Sequence, residues 1–588
     1  CKYMKYQLRF DPTKQVIQIN IITSLTEGLA QFQLPKWRPG RYELQNFARL
    51  IFDVKAMTLE GASLTLKQVD SHSWEVTSTT EQEIHFSYNF YANLHDAGGT
   101  YLDREHLLFN GITCLMYRPD QIESPCEMAF DIPDGWQLGS ALGLHKGPYT
   151  FKSFHELVDT PFLAGPSLQH HRLEAGGMDT HLWFLGTCRP DFDRISHDIQ
   201  AYTAAQMSLF GDCPVNEYHY LFVMWPFPYR HGVEHYNSTV IVMGPGVNLM
   251  QEKFYESFLE ISSHELFHTW NVKYIRPDDM LPYVYDRENY SKMHYVTEGI
   301  TTYYGDLMLW KGNVWNMDRW VHSINQELQS HYMTGSQDHI SLSQASFQSW
   351  THGYRQSTAP NRKISFYTKG YLAAMILDQR IRQQTDDTYS LDDVMHYMYQ
   401  EVAKKGQGYT ETIFRDVLKK FTGNDQADFF EHFIHGTTSL KTALKEMGAY
   451  YGLMMIEVPP ADPAIAWWGM KAKVTNGKLI VDHLYEDSPA MRAGIVAGDE
   501  LIALNGHQLG LQLDHWMSFL SDTFRAELHY FHQGKLQVAQ LPLKGNSTFT
   551  IPQFVIQAQC SEDKQKHRMN WQAVGGAKKP TFVTKTEN

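Results

Sequence analysis

Apolar and polar side chains alternate over most of the first 165 residues, with the two-residue period of β-strands. The runs Gln7–Phe10 and Gln15–Ile21 show this alternation. Turn-forming pairs such as Pro39-Gly40 interrupt the runs. The pattern predicts an all-β domain over residues 1–165. The loop Leu34–Tyr42 within it is conspicuous, but the sequence assigns it no chemical role.

After residue 165 the pattern becomes mixed and then mainly helical. Phe192–Ala205 predicts a helix, whereas the apolar run Tyr218–Trp225 is typical of a buried strand. The segment Phe254–Ile261 is apolar at its first, fifth and eighth positions, which again predicts a helix. We therefore expect a second domain over residues 166–457, with a small β part at 166–250 and a helical part at 251–457.

The segment Phe254–Ile261 leads into a His-Glu-x-x-His motif, His264-Glu265-Leu266-Phe267-His268. Residues four apart share one face of a helix, so the two imidazoles can point at one ion, and this spacing suits zinc. Glu265 lies beside them and is free to act as a base. With 29 histidines and 65 acidic residues, chance produces such a motif about one time in ten. A structural helix with two satisfied histidines would look the same, so a third ligand must decide.

That third ligand is predicted on a second helix. The metzincin pattern would require Gly at position 271 and His at position 274, but the chain has Asn271 and Tyr274. Further on, Ile300–Met308 carries an apolar stripe with helical spacing, and Glu298 lies in the first turn of this helix. A carboxylate there needs a partner, and a metal is a suitable one. The alternative is a carboxylate that only caps the helix.

Two further segments fit the same chemistry, although each is weak evidence alone. Glu234 precedes a predicted strand that contains Val240 and could bind a cation at the end of a cleft. Gly232 would let a substrate backbone approach closely. Tyr367 could donate a hydrogen bond to a developing oxyanion. The alternatives are a solvated carboxylate and a tyrosine that only packs.

Together these segments resemble the glycyl aminopeptidase family of gluzincin zinc metallopeptidases, relatives of the aminopeptidase N group that carry a C-terminal PDZ domain. The resemblance covers most of the chain and rests on four motifs in the family's order: Gly232-Val233-Glu234-His235-x-Asn237-Ser238, His264-Glu265-x-x-His268-x-Trp270-Asn271, Thr297-Glu298-Gly299 and Tyr367-x-Lys369-Gly370. It implies a multidomain α+β protein with an N-terminal all-β domain, a thermolysin-like, mainly α catalytic domain and a C-terminal PDZ domain.

The resemblance also implies the metal site and its chemistry. One zinc ion per chain would be bound by His264, His268 and Glu298. Glu265 would serve as general base and acid, and Tyr367 would stabilise the tetrahedral intermediate. The metal-ligating residues and Glu265 would thus form the centre of a hydrolase.

Substrate binding is implied in the same way. Glu234 would hold the free α-ammonium of the substrate, while the backbone of Gly232 and Val233 would hydrogen-bond it along an edge strand. His231 stands where the family has a second Gly, so it would narrow the cleft or contact the substrate. His235 stands where Asn follows the amine-binding Glu in the broader group. We expect the family preference for an N-terminal Gly or Ala only if His231, which would narrow the cleft or contact the substrate, does not alter it.

The last part of the chain has a different character. A proline-rich stretch at Val458–Pro463 predicts a linker. Ser488–Gly506 then resembles a PDZ domain of the bacterial protease-associated kind, with a short helix, a Gly-Asp turn, a strand and an Asn-Gly turn. We place the PDZ domain at residues 464–548 and a polar C-terminal tail at 549–588. Such a domain captures peptide C-termini by strand addition, or serves only as a wall of the cleft.

Composition and charge narrow the partners. The net charge of −14 disfavours nucleic acid and anionic membrane surfaces. The sequence contains no run of 18 apolar residues, so no membrane span is predicted. Six scattered cysteines without Cys-x-x-Cys spacing fit a reducing compartment. We expect a cytoplasmic protein, or a periplasmic or envelope-attached one if Cys1 is a lipidated N-terminus.

The sequence therefore predicts a zinc aminopeptidase that removes a small first residue, Gly or Ala, from peptides with a free N-terminus. One alternative is a zinc endopeptidase whose PDZ domain captures substrate C-termini. A second is a hydrolase of a non-peptide substrate. A third is a PDZ adaptor with an inactive metal site, which the intact motif residues disfavour.

Overall fold

The N-terminal β domain consists of three antiparallel or mixed sheets. The computed structural model describes residues 3–143, 147–337, 339–354, 359–520, 523–543, 547 and 549–575 of the 588-residue chain. In the second strand Ile17, Ile19 and Ile21 are buried, while Gln18 between them is exposed, as the alternating pattern predicts. The strands are β1 Met4–Asp11, β2 Val16–Leu25, β3 Gly28–Gln33, β4 Ile51–Thr58, β5 Thr65–Gln68, β6 Ser73–Ser78, β7 Gln82–Tyr91, β8 Tyr101–Leu102, β9 Leu107–Phe109, β10 Cys126–Asp131, β11 Gln137–Ser140, β12 Tyr149–Phe151 and β13 Phe162–Gly165.

These strands form a six-stranded sheet in the order β12-β10-β1-β2-β7-β4, a four-stranded sheet β11-β13-β9-β8 and a three-stranded sheet β3-β6-β5. Two short helices, α1 Gly111–Cys114 and α2 Phe154–Val158, complete the domain. The long loop between β3 and β4 leaves this domain and reaches the next one, where it becomes part of the site described below.

A five-stranded sheet opens the catalytic part of the chain. Its strands are β14 Gln169–Ala175, β15 Met178–Gly186, β16 Glu217–Met224, β17 Tyr229–Glu234 and β18 Ser238–Gly244, with helix α3 Phe192–Phe210 between β15 and β16. The spatial order is β14-β15-β16-β18-β17, so β17 pairs with β18 on one side only and is an edge strand of this sheet. An edge strand offers unpaired backbone groups to a ligand.

Helices follow the sheet: α4 Glu252–Phe267, α5 Thr301–Lys311, α6 Met317–Tyr332, α7 Leu342–Phe347, α8 Phe366–Gln384, α9 Leu391–Tyr397, α10 Glu411–Thr422, α11 Ala427–Phe429 and α12 Lys441–Tyr450. A π-helical turn, Tyr295–Ile300, leads into α5. Glycines allow the central helices to approach closely. A Cβ on Gly305 would lie 3.0 Å from the Cα of His264, and one on Gly299 would lie 2.6 Å from the Cα of Gly370. Small residues therefore bring α4, α5 and α8 around one point.

The third part has its own apolar core and the architecture of a PDZ domain. Its strands are β20 Met470–Thr475, β21 Lys478–Leu484, β22 Glu500–Leu504, β23 His507–Gln508, β24 Arg525–His532 and β25 Lys535–Pro542. Its helices are α13 Pro489–Arg492 and α14 Leu513–Phe519. Strand β19 Leu453–Val458 precedes this domain in the chain. It contacts the catalytic part directly. The Tyr485 hydroxyl donates to the carbonyl of Met333 at 2.8 Å, and the Asn361 amide donates to the carbonyl of Leu484 at 3.0 Å.

The chain returns to the catalytic part after the PDZ domain. Within the segment proposed as a polar tail, strand β26 Ile551–Ile556 pairs antiparallel with β19, and helix α15 Glu562–Gln572 follows. Trp571 is fully buried, and its indole N–H donates to the hydroxyl of Tyr303 at 2.8 Å. Residues 576–588 of the proposed tail lie outside the described part. Among the described helices, none has the length and apolar character needed to cross a membrane.

Candidate active site

Three predicted ligands lie at the meeting point of α4 and the π-helical turn. The Nε2 atoms of His264 and His268 are 3.0 Å apart. One carboxylate oxygen of Glu298 lies 3.3 Å from Nε2 of His268 and 3.9 Å from Nε2 of His264. His268 and Glu298 are almost fully buried. Two imidazole nitrogens and one carboxylate oxygen thus face a common point.

The protonation pattern of this cluster fits a bound cation. Nδ1 of His268 is 2.7 Å from the carbonyl of Asn271, so Nδ1–H donates there and Nε2 is directed to the cluster. Burial opposes a charge on His268, yet Glu298 beside it raises the pKa of His268 to about 10. The site therefore attracts positive charge at Nε2, and a metal ion in that position replaces a proton. The His, His, Glu donor set is one that zinc accepts.

Glu265 lies next to the cluster in a position that a glycine makes possible. One of its carboxylate oxygens is buried without a hydrogen-bond partner among the described residues. Burial raises the pKa of Glu265 to about 8, with smaller contributions from neighbouring carboxylates. A Cβ on Gly232 of β17 would lie only 2.1 Å from Oε1 of Glu265. Only glycine at position 232 leaves this carboxylate in place.

Glu234 ends β17 and lines the same cavity. Its carboxylate, that of Glu265 and an imidazole nitrogen of His268 all lie within 4.8 Å of one another. Glu234 is 5% exposed. Val233 beside it pairs through its backbone with Val240 of β18, which leaves the opposite edge of β17 towards the cavity. The edge strand and its terminal carboxylate are thus arranged to receive an extended chain that ends in a cation.

His231 lies at the wall of this cavity as a fixed, neutral side chain. The backbone N–H of Ala97 donates to its Nδ1 at 3.1 Å, and Nε2 is 3.4 Å from the guanidinium of Arg38. Burial and the charge of Arg38 lower the pKa of His231 to about 3, against the opposing effect of Asp96. Its side chain is therefore held by the N-terminal domain rather than free to follow a substrate.

Tyr367 opens helix α8 beside the metal ligands. Its hydroxyl lies 2.9 Å from the hydroxyl of Tyr354, and both side chains line the same cavity as His264. Burial and the nearby Glu298 raise the pKa of Tyr367 well above its ordinary value, so the hydroxyl keeps its proton. A tyrosine in this state can donate a hydrogen bond to a developing negative charge. Sequence reasoning did not identify Tyr354.

The loop that had no assigned role contributes to the site from the N-terminal domain. The Tyr42 hydroxyl donates to Oε1 of Glu298 at 3.4 Å. Gly40 has a φ of +79°, and a Cβ there would lie 2.6 Å from Oε2 of Glu234. Trp37 anchors the loop by donating its indole N–H to the carbonyl of Val284 at 2.8 Å. The loop therefore hydrogen-bonds one carboxylate of the site and leaves room for a second, although no chemical motif in the sequence marks it.

A second group of metal-ligating residue types lies apart from this site, on the small sheet. His181, Glu217 and His219 place candidate atoms within 4.8 Å of one another. The Trp183 indole N–H donates to Nδ1 of His219 at 3.1 Å. Nε2 of His219 must then carry the proton of the neutral ring and offers no lone pair. With its proton on Nε2, which lies 3.4 Å from Oε1 of Glu217, His219 is not arranged as a metal ligand.

Two histidines and a glutamate around one point, with a buried glutamate beside them, define the class of the protein: a zinc metallopeptidase. Family models match three parts of the chain. Residues 5–166 match the peptidase M61 N-terminal domain, residues 257–373 match the M61 glycyl aminopeptidase and residues 480–525 match a PDZ domain. The chain thus matches the N-terminal and catalytic models of the M61 glycyl aminopeptidases in the order in which the two parts occur along it.

Solved structures include a relative of nearly the full length. An aminopeptidase N family protein from Idiomarina loihiensis is 25% identical, with a TM-score of 0.87, over 97% of this chain and all of that one. An M1 zinc metallopeptidase mutant from Deinococcus radiodurans, bound to a Tyr-Ser-Ala substrate, is 13% identical over 74% of this chain and 94% of that one, with a TM-score of 0.46. The second likeness is too distant to carry an argument. No curated protein sequence matches the chain.

Proposed function

We propose that the protein is an aminopeptidase that cleaves the first residue from peptides with a free N-terminus. The observation that carries this proposal is the position of Glu234. A buried carboxylate ends the edge strand within 4.8 Å of Glu265 and His268. An extended substrate along β17 would have room for one residue before this carboxylate, whose natural partner is an ammonium group.

The residues divide the chemistry as follows. His264, His268 and Glu298 would hold one zinc ion, which supplies Lewis-acid activation of water and of the scissile carbonyl. Glu265 removes the proton from the attacking water and passes it to the leaving amine. Tyr367 donates to the carbonyl oxygen as negative charge develops there.

Strand β17 binds and positions the substrate. Glu234 binds the α-ammonium, and the backbone groups of Gly232 and Val233 pair with the first peptide unit. The missing side chain of Gly232 lets the substrate backbone lie close to Glu265. The resemblance adds a preference for Gly or Ala as the first residue of the substrate.

The test compares alanine p-nitroanilide with its N-acetyl form, with and without a zinc chelator. We expect chelator-sensitive cleavage of the free amine only. Glu234→Gln keeps the shape of the side chain but removes its charge, and should lower kcat/KM for alanine p-nitroanilide by at least about 100-fold, because a buried charge pair is lost. Equal cleavage of the acetylated substrate would refute the role of Glu234 and favour an endopeptidase.

A further inference from the structure

A second tyrosine, Tyr354, lies beside Tyr367 and has no part in the chemistry assigned above. The two hydroxyl oxygens are 2.9 Å apart, and the two residues are 13 positions apart in the chain. Both side chains line the cavity that contains the metal ligands. A second hydroxyl therefore lies within hydrogen-bond distance of the group proposed to stabilise the oxyanion.

The number of protons fixes the direction of this hydrogen bond during the reaction. Each phenol has one proton to donate and an oxygen that can accept. When Tyr367 donates its proton to the carbonyl oxygen of the substrate, it has none left for Tyr354. A bond between the two hydroxyls must then run from Tyr354 to the oxygen of Tyr367. Burial and the nearby Glu298 raise the pKa of Tyr354 above its ordinary value, so its hydroxyl keeps the proton that this bond needs.

The loop Leu34–Tyr42 of the N-terminal domain holds Tyr354 in this position. The guanidinium carbon of Arg41 lies 5.2 Å from the centroid of the Tyr354 ring, and a cation over an aromatic face is attractive. Trp350, shortly before Tyr354 in the chain, packs edge to face against Trp37 with the ring centroids 5.0 Å apart. The segment that carries Tyr354 is thus fixed by contacts with another domain.

A hydrogen bond from Tyr354 would change what the hydroxyl of Tyr367 can do. A hydroxyl that accepts a hydrogen bond becomes a stronger donor, because bonds in a chain polarise one another. The same bond keeps the proton of Tyr367 from pointing towards Tyr354. Both effects matter most when negative charge develops on the substrate, so they should act on kcat rather than on KM.

We propose that Tyr354 is a positioning residue that donates a hydrogen bond to the hydroxyl oxygen of Tyr367 and so directs the single proton of Tyr367 to the developing oxyanion. The proposal rests on the peptidase function proposed above, in which Tyr367 stabilises that oxyanion. It gives the loop Leu34–Tyr42 a part in transition-state stabilisation, because this loop holds Tyr354. A tyrosine that only packs in the cavity wall would have no effect that depends on Tyr367.

The experiment is a double-mutant cycle on the zinc-loaded full chain, with kcat and KM measured separately for alanine p-nitroanilide. Tyr354→Phe should lower kcat about fivefold and leave KM within about twofold, because it removes one supporting hydrogen bond. Tyr367→Phe should lower kcat at least about 100-fold. When Tyr354→Phe is added to Tyr367→Phe, kcat should fall by less than about twofold further, because the hydroxyl through which Tyr354 acts is already missing.

Tyr202→Phe is the matched control. The Tyr202 hydroxyl of α3 also lies in a buried pair, 3.0 Å from the hydroxyl of Tyr220, and neither residue lines the cavity with the metal ligands. This variant should leave kcat unchanged. Thermal unfolding of each variant shows whether it folds, and the exchange to Phe keeps the ring and its packing in every case.

Three results would overturn the proposal while the aminopeptidase stands. A Tyr354→Phe enzyme with the wild-type kcat would show that the hydroxyl is not needed. Effects that multiply in the double variant would show that Tyr354 acts independently of Tyr367. A raised KM with an unchanged kcat would show that Tyr354 binds the substrate before the reaction.

The proposed function fails by a different result. If the wild-type protein cleaves the N-acetyl substrate as fast as the free amine, the aminopeptidase is refuted, whereas the cycle still decides whether Tyr354 acts through Tyr367. If the zinc-loaded protein cleaves neither form, both proposals fail.

Discussion

Gly232 lies so close to the side chain of Glu265 that a Gly232→Ala substitution should disturb the site. In a Gly232→Ala variant the new Cβ would lie 2.1 Å from Oε1 of Glu265, whereas real Cβ atoms essentially never come nearer than 3.0 Å. One of the two groups must move by about 1 Å. Strand β17 is held by its pairing with β18, so the side chain of Glu265 is the group that yields. A displacement of about 1 Å of a catalytic group costs on the order of 100-fold in rate.

The assay measures kcat for alanine p-nitroanilide together with the zinc content of the protein. We expect kcat to fall about 100-fold while one zinc per chain remains, because Gly232 does not touch the ligands. Gly353→Ala is the matched control, since its Cβ would meet only ordinary contacts, the nearest at 3.6 Å from the Cβ of Ser349. A Gly232→Ala enzyme with more than about one third of the wild-type kcat would refute the proposed position of Glu265 as the base.

Three further predictions follow from the same geometry. Glu265→Gln should retain zinc and lose on the order of 1,000-fold or more in kcat, measured by zinc content and initial rates; turnover near the wild-type rate would contradict its role. Tyr42→Phe removes the hydroxyl that donates to Glu298, so zinc affinity in a chelator competition should weaken by about tenfold, whereas Tyr290→Phe, at an exposed tyrosine, should not change it. Although burial opposes it, Lys273 and His235 lower the pKa of Asp159 to about 2 from 3.8. This stabilisation is present above pH 4 and is lost as the pH falls towards 2, so over that window the free energy of unfolding in urea should drop by about 2 kcal/mol more in the unmodified protein than in an Asp159→Asn variant.

The proximity of the three proposed metal ligands could be predicted because their arrangement is mostly local. His264 and His268 meet through the spacing of one helix, and Glu298 was found through the apolar stripe of the next. The π-helical form of Tyr295–Ile300 could not be predicted, because an apolar stripe is compatible with either helix type. The approach of Gly299 to Gly370, at the start of α8, is a tertiary contact that no local pattern contains.

The loop between β3 and β4 shows more clearly what cannot be predicted from the sequence. Leu34–Tyr42 was conspicuous in the sequence, but it lies more than 190 residues before Glu234 and more than 250 before Glu298. Its role depends on the docking of one domain against another, which hydrophobic periodicity does not specify. Asn110 is similar. The sequence pair Asn110-Gly111 is compatible with a simple turn, whereas the structure buries the side chain of Asn110 and uses Gly111 to begin helix α1.

The charges of the site link metal binding to recognition of the ammonium group on the first residue of the substrate. Glu234, Glu265 and Glu298 are buried carboxylates in one cavity, and ionising all three without compensation is strongly unfavourable. A divalent ion at the histidines and an ammonium at Glu234 would together balance them. On the proposed function, a peptide with a blocked N-terminus would leave Glu234 unpaired beside the base. Burial is the main cause of the raised pKa of Glu265, and an unpaired Glu234 would add to it because the neighbouring carboxylate opposes ionisation. A free ammonium removes that opposition, so the group that is recognised also prepares the base that reacts.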